Sequence, residues 1–191
     1  PKPKPAEPTQ APPVDAKPRR PAKRPAAPRV WVAVGLGPTL QHGFQPKLGV
    51  GARLFGLIRA HRWSLELGTE ASFPVELRLS DGSGFSSNTL VAKLVPCFHV
   101  AQLGFCGVGM LGQLHVRGFG VDQVGSPSSF IGAAGARLGL FQPILGWLGG
   151  MLHGDVLFPL TQRTVLLNRQ RVWTTDPLSF SAGIDLAAVF Q

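Results

Sequence analysis

The most regular alternation of apolar and polar side chains in the chain covers residues 178–190. Apolar residues occupy every second position there, namely Leu178, Phe180, Ala182, Ile184, Leu186, Ala188 and Phe190. Serine, glycine and aspartate hold most of the positions between them. Because successive side chains of a β-strand point to opposite faces, this alternation predicts one long strand. A tilted strand needs roughly 9–11 residues to cross a bilayer, so the length favours a membrane wall over a soluble sheet.

The same alternation recurs upstream and predicts eight strands after residue 29. Their expected ranges are 30–37, 48–58, 63–79, 89–98, 105–117, 130–141, 147–158 and 178–190. The connections alternate in length, being short at 59–62, 100–104 and 142–146 and longer at 38–47, 80–88, 118–129 and 159–176. Hairpins that follow one another without room for crossover helices predict an antiparallel up-and-down sheet.

This pattern resembles the small eight-stranded β-barrels of bacterial outer membranes, and it is similar in architecture to the membrane domain of OmpA-type proteins. The even strand number, the unequal connections and a last strand ending at the aromatic residue Phe190 carry the resemblance. It implies an all-β transmembrane barrel over residues 30–191, with both termini in the periplasm. It also implies a non-enzymatic role as an envelope anchor, in adhesion or in envelope linking. The chain departs from the usual pattern by lacking tyrosine for the aromatic girdles and by ending at Gln191.

The composition agrees with a membrane barrel. Charged residues make up 15% of the chain, whereas soluble domains average about 25%. Hydrophobic residues make up 44%, yet no apolar run reaches the roughly 18 residues of a transmembrane helix. A membrane barrel spreads its apolar residues over alternating strands instead, and the partner implied for this surface is outer-membrane lipid.

Residues 1–29 form a different region of the sequence. They hold ten of the 18 prolines, and their eight basic and two acidic residues supply six of the nine net positive charges. Because Val14 is its single large aliphatic residue, we expect this segment to be a disordered or polyproline II linker in the periplasm. Two interpretations stay open: a tether that contacts peptidoglycan or another anionic envelope surface, and a plain solubilising spacer. Attachment to a membrane barrel argues against nucleic acid as a partner.

The polar face of the strands predicts a charged interior. If the apolar face meets lipid, four basic and four acidic side chains point into the lumen, and they are Arg53, Lys93, Arg117, Arg137, Glu66, Glu70, Asp155 and Asp185. Charges in a narrow interior are costly unless they are paired. An eight-stranded barrel has room only for side chains. We therefore expect a salt-bridged structural plug.

Two cysteines flank the shortest predicted hairpin. With a turn at residues 101–102, Cys97 and Cys106 would face each other, which predicts a disulfide, with free thiols as the alternative. Strand alternation puts Cys97 on the inner face but Cys106 on the outer one. A bulge at Pro96 would reset the register. A zinc site is not expected, because no second cysteine pair or suitably spaced histidine pair accompanies them.

The sequence also offers enzymatic and soluble alternatives. Residues 107–112 match G-x-G-x-x-G but lie within a strand, so the glycines indicate crowding rather than dinucleotide binding. A hydrolytic set could be drawn from His115, His153, Asp155 and Asp185 with the serines of the last strand, as in lipid-modifying barrels, but no serine lies on a nucleophile elbow. A soluble lipocalin-like barrel that binds an apolar molecule would need the apolar face turned inward. We expect a monomeric barrel without cofactor or metal, and an export signal or inner-membrane anchor upstream of Pro1.

Overall fold

The computed structural model describes residues 30–80, 82–120, 128–167 and 170–190. These residues form the strands β1 (Val30–His42), β2 (Gly49–Ala60), β3 (Trp63–Ser72), β4 (Val75–Arg78), β5 (Gly84–Val100), β6 (Leu103–Phe119), β7 (Ser128–Leu145), β8 (Leu148–Pro159), β9 (Thr164–Leu167), β10 (Gln170–Thr174) and β11 (Ser179–Phe190). No helix in these ranges is long and apolar enough to cross a membrane. The linker predicted for residues 1–29 lies outside the described part of the chain.

The main sheet closes into an antiparallel ring. Its strand order is β3-β2-β1-β11-β8-β7-β6-β5-β4, and a further pairing of β3 with β5 closes it. Since β3 and β4 both pair with β5, they are two parts of one position in the wall. The ring therefore has eight positions, which confirms the predicted up-and-down barrel. The separate hairpin β9–β10 lies outside the ring.

The register of the ring determines how strongly its strands tilt. Following paired residues once around the barrel from Val30 leads back to β1 at Leu40, ten residues further along the strand. With eight strands, this shear corresponds to a tilt of roughly 40° from the barrel axis. Such a barrel is filled by its own side chains, and its closure leaves no free sheet edge.

The two ends of the barrel differ as expected. At one end, named here the turn end, the tight turns at residues 61–62, 101–102 and 146–147 lie beside the first residue of β1 and the last of β11. His61 and Ala101 adopt the left-handed conformation that tight hairpin turns require (φ 56° for each). The opposite end, named here the loop end, carries the remaining connections and the β9–β10 hairpin.

Several strand boundaries differ from the prediction, and β5, for example, begins at Gly84 rather than at residue 89. β1 continues to His42, because Pro38 occupies a position in the wall without interrupting the strand. The predicted third strand is broken at residues 73–74, where Pro74 has no N–H to donate to the ladder. The connection predicted for 159–176 contains the β9–β10 hairpin.

Alternating burial identifies the two faces of the wall. In β1, β2, β3, β5, β7, β8 and β11 the inner face buries small and charged residues together with some bulky apolar ones, such as Phe55 and Leu157. The apolar positions expected to meet lipid are exposed. The facing of β6 is opposite to the predicted one. Val108, Met110 and Leu114 are buried, and Arg117 is exposed. These inward residues belong to an apolar cluster that fills part of the lumen, so bulky side chains face inward here.

Candidate functional site

Seven buried charged side chains meet inside the barrel. They are Arg53 on β2, Glu66 and Glu70 on β3, Lys93 on β5, Arg137 on β7, Asp155 on β8 and Asp185 on β11. Each occupies an inward position of its strand, where alternation places it. Two oppositely charged pairs are direct neighbours across the ladder: Arg53 lies opposite Glu70, and Arg137 lies opposite Asp155.

Arg137 bridges two carboxylates. Its Nε and Nη2 atoms donate to Asp155 Oδ1 and Oδ2 at 2.6 and 2.9 Å, and its Nη1 atom donates to Glu66 Oε1 at 2.7 Å. The two-pronged contact with Asp155 matches the planar guanidinium to the planar carboxylate. Three of the five guanidinium N–H donors are thus used inside the lumen.

Lys93 extends the network toward the loop end. Its Nζ atom lies 3.0 Å from Asp155 Oδ2 and 3.2 Å from Ser181 Oγ, and it forms an ion pair with Glu70. Glu70 also accepts a hydrogen bond from Gln41 Nε2. A lysine with two carboxylates and a hydroxyl has partners for all three of its donors.

Arg53 and His153 form the third part of the network. Arg53 Nη2 lies 2.9 Å from Glu66 Oε1, and its Nε atom lies 3.5 Å from Asp185 Oδ1. His153 approaches Asp185 Oδ2 with Nδ1 at 3.1 Å, and its Nε2 atom lies 3.1 Å from Arg53 Nη1. The Arg53 guanidinium also stacks over the Phe55 ring at 4.4 Å. Within the described residues, three cations and His153 therefore face four carboxylates.

The eighth residue predicted for this interior lies elsewhere. Arg117 is exposed on the outer face of β6 and joins none of the ion pairs of the described chain. The prediction that it faces the lumen is wrong, because the inward positions of β6 are apolar. Among the described residues, His153 rather than Arg117 is the fourth basic side chain that contacts the carboxylates.

Above the charges lies a polar cap that the sequence analysis did not predict. Thr89 Oγ1 donates to Gln41 Oε1 at 3.2 Å and lies 3.0 Å from Ser72 Oγ, whose hydroxyl can donate to it. Gln45, from the connection between β1 and β2, donates to Ser72 Oγ at 3.0 Å and to Ser87 O at 2.8 Å. The polar inward positions of β1 continue past the predicted end of its strand, and this continued alternation could have indicated the cap. The cap and the charges leave a cavity of about 10 Å³ beside Lys93 and Met110, no more than one water needs.

The turn end holds the disulfide. Cys97 and Cys106 are bonded and directly opposite each other in the ladder, so the predicted disulfide is confirmed. The register of β5 and β6 is the same on both sides of Pro96, so the bulge suggested there does not form. Cys106 faces inward with the other inner residues of β6, which removes the apparent mismatch.

The geometry does not assemble the hydrolytic set considered from the sequence. His115 lies on the outer face, whereas His153 contacts Asp185 and Arg53. Ser181 is hydrogen-bonded to Lys93 and Asp155. A Ser–His pair that the sequence did not suggest lies at the turn end, where Ser64 Oγ and His99 Nε2 are 2.7 Å apart. Among the described residues, no acceptor orients the other ring nitrogen of His99.

A closed eight-position antiparallel ring with a shear of ten, exposed apolar outer positions and paired charges inside defines the class of small outer-membrane β-barrels. The sequence matches no protein-family profile and no curated protein. The fold is similar to a major outer membrane protein from Thermus thermophilus, with a TM-score of 0.62, 10% identity and coverage of 84% of this chain and 99% of that chain.

Two further solved barrels share this fold. Ail, the attachment invasion locus protein of Yersinia pestis, was solved with the heparin analogue sucrose octasulfate; it has a TM-score of 0.54 and 11% identity, with 84% of this chain and 97% of that chain covered. Neisserial surface protein A has a TM-score of 0.50 and 7% identity, with 83% and 96% covered. At these identities the likeness establishes the fold.

Proposed function

We propose that the chain is a non-enzymatic outer-membrane barrel that acts as an envelope anchor and whose lumen is closed by the charged network. The distribution of exposure supports this most directly. On the outer face, Leu67 and Ile184 are each 65% exposed, whereas on the inner face Glu70 and Asp185 are each 1% exposed. A water-soluble barrel has the reverse arrangement. Lipid around the wall would remove the exposed apolar surface from water.

The orientation follows from the unequal ends. Outer-membrane barrels have short periplasmic turns and longer external loops, so the turn end faces the periplasm and the loop end faces outward. Val30 begins β1 at the turn end. The basic, proline-rich segment 1–29 then enters the periplasm, where it tethers the barrel to peptidoglycan or another anionic envelope surface.

Extraction and conductance test this proposal. Full-length protein should stay with membranes through a high-salt or alkaline wash, need detergent for release, and migrate differently on gels before and after boiling. In a planar bilayer it should show no steady conductance, because paired side chains and the polar cap fill the lumen. A detergent-free soluble monomer would contradict the membrane assignment and favour the lipocalin-like alternative. A stable pore would contradict the plug alone.

The loop end supports a second candidate function, a surface interaction with anionic polymers. The residues Lys47 and Arg78 are exposed there. Retention on a sulfated polysaccharide column should fall when Lys47 and Arg78 are both changed to glutamine. Unchanged retention would exclude the interaction with anionic polymers and would leave the anchor function unaffected.

A further inference from the structure

The outer face of β6 changes from apolar to polar as it approaches the loop end. Leu111 is exposed and apolar, and the next three outward residues are Gln113, His115 and Arg117. The described ladder neighbours of His115 and Arg117 on the same face are also polar, namely Ser86, Asn88 and Ser128. With Gln113 they form the outer polar patch, which consists of Ser86, Asn88, Gln113, His115, Arg117 and Ser128.

The patch has an ordered layout. Asn88, His115 and Ser128 form one row across β5, β6 and β7, and Ser86 lies opposite Arg117 in the next row outward. The row below contains Leu90, Gln113 and Phe130, in which exposed apolar side chains flank the glutamine. Two residues of a strand tilted by roughly 40° rise about 5 Å along the barrel axis. The His115 and Arg117 rows therefore lie about 5 and 10 Å above this apolar row.

The side chains of the patch are rich in donors and without partners in the described part of the chain. None of the six makes a side-chain hydrogen bond or ion pair to another described residue. The patch itself contains no carboxylate. Glu76, which lies across the ladder from Ser86, is already paired with Arg78 at 3.0 Å. A guanidinium that has no partner among the described residues, and that lies beside amide, imidazole and hydroxyl groups, is suited to an anion.

We propose that the outer polar patch binds the phosphate groups of anionic lipids in the outer leaflet. This inference rests on the proposed membrane orientation, which places the patch at the depth of the headgroups. Arg117 is the principal ligand, since its fork of N–H donors fits phosphate oxygens in a bidentate manner. His115 and Asn88 contribute further donors, while the acyl chains lie on Leu90, Leu111 and Phe130.

Binding of a defined lipid tests the proposal. Full-length protein is folded in detergent, and its insertion into bilayers is checked first. It is then titrated with diphosphorylated lipid A or with the dephosphorylated form. Native mass spectrometry counts the bound lipid. The variants are Arg117→Gln, Arg117→Lys and, as a matched control, Arg171→Gln. Arg171 is also exposed at the loop end but lies on β10, outside the patch. Inorganic phosphate serves as a competitor.

We expect phosphorylated lipid A to bind more tightly than its dephosphorylated form. Arg117→Gln should weaken binding of the phosphorylated lipid about fivefold. This corresponds to the contribution of one basic residue at an anionic membrane surface. Arg117→Lys should lose less, Arg171→Gln should match the wild type, and inorganic phosphate should not displace the lipid. Equal binding of the two lipids, an unaffected Arg117→Gln variant or an equal loss in Arg171→Gln would each overturn the inference. Failure to insert into bilayers would instead refute the proposed function.

Discussion

β3 and β6 are built from the same two-residue alternation but place opposite sets of side chains inside the barrel. β3 buries Glu66 and Glu70 and exposes its leucines. β6 buries Val108 and Met110 and exposes its polar residues. Alternation therefore establishes which residues share a face, whereas the partners available across the lumen decide which face turns inward.

Those partners differ between the two sides of the lumen. The carboxylates of β3 form ion pairs with Arg53, Lys93 and Arg137. The inner side of β6 instead meets an apolar cluster that includes Ile131 and Leu157. A buried arginine at an inward position of β6 would need a carboxylate of its own, and an unpaired charge there is costly.

The largest expected effect comes from breaking the charged side of this contrast. Asp155→Asn removes a carboxylate charge that Arg137 and Lys93 share, and it should destabilise the folded barrel by roughly 3–5 kcal/mol, the usual result of leaving buried charges unpaired. Urea unfolding in detergent micelles or vesicles measures the change. Arg117→Gln is the matched charge removal on the outer face and should stay within about 0.5 kcal/mol. A similar loss in both variants would contradict a specific role for the buried network.

Truncation on the apolar side tests the inward placement of β6. Met110 is 3% exposed and packed in the apolar cluster, so Met110→Ala should cost roughly 2–5 kcal/mol through lost burial and a cavity. Leu111→Ala removes the neighbouring side chain, which faces outward, and it should cost much less. If Leu111→Ala is the more damaging variant, β6 has the facing that alternation alone suggested.

A charge on the lipid side of β3 should have the next largest effect. Leu67→Arg places an unpaired cation on the outer face and should cost roughly 2–4 kcal/mol near the bilayer midplane. Refolding titrations into vesicles measure it, with Leu67→Ala as the size control. Equal tolerance of the two variants would show that this face does not meet lipid.

The smallest expected effect belongs to the disulfide. Cys97 and Cys106 are separated by nine positions in sequence, and a loop of that size contributes about 2–3 kcal/mol at most. The double variant Cys97→Ser and Cys106→Ser should therefore fold with a lower urea midpoint and an unchanged barrel signature on unboiled gels. A variant that cannot fold at all would show that the bond has a role beyond stability.

Much of the barrel could be predicted from local pattern. Strand number, alternating connection lengths and seven of the eight charges predicted for the interior follow from periodicity, because each strand was long enough to show its two faces. The inverted β6 could not be predicted, since its glycines and valines are acceptable on either face. The shear of ten also depends on pairings between strands, which a single sequence does not reveal.

The polar cap illustrates the same limit. The first strand was predicted to end at residue 37, yet the wall continues through Thr39 and Gln41. Gln45 reaches the lumen from a connection rather than from a strand, so no periodicity marks it. Contacts made by loops depend on the path of the chain between two strands. They can therefore be identified only in the folded structure.

The pairing of β1 with β11 has a consequence for biogenesis. The ring is sealed by contacts such as Val32 with Phe190, which join the first and last strands of the barrel. Until the final strand has been synthesised and has paired, β1 presents an open edge to any other strand. The ring therefore cannot close before the whole chain is complete. A chain that lacks β11 would keep two unpaired strand edges, one on β1 and one on β8, and each could pair with another chain.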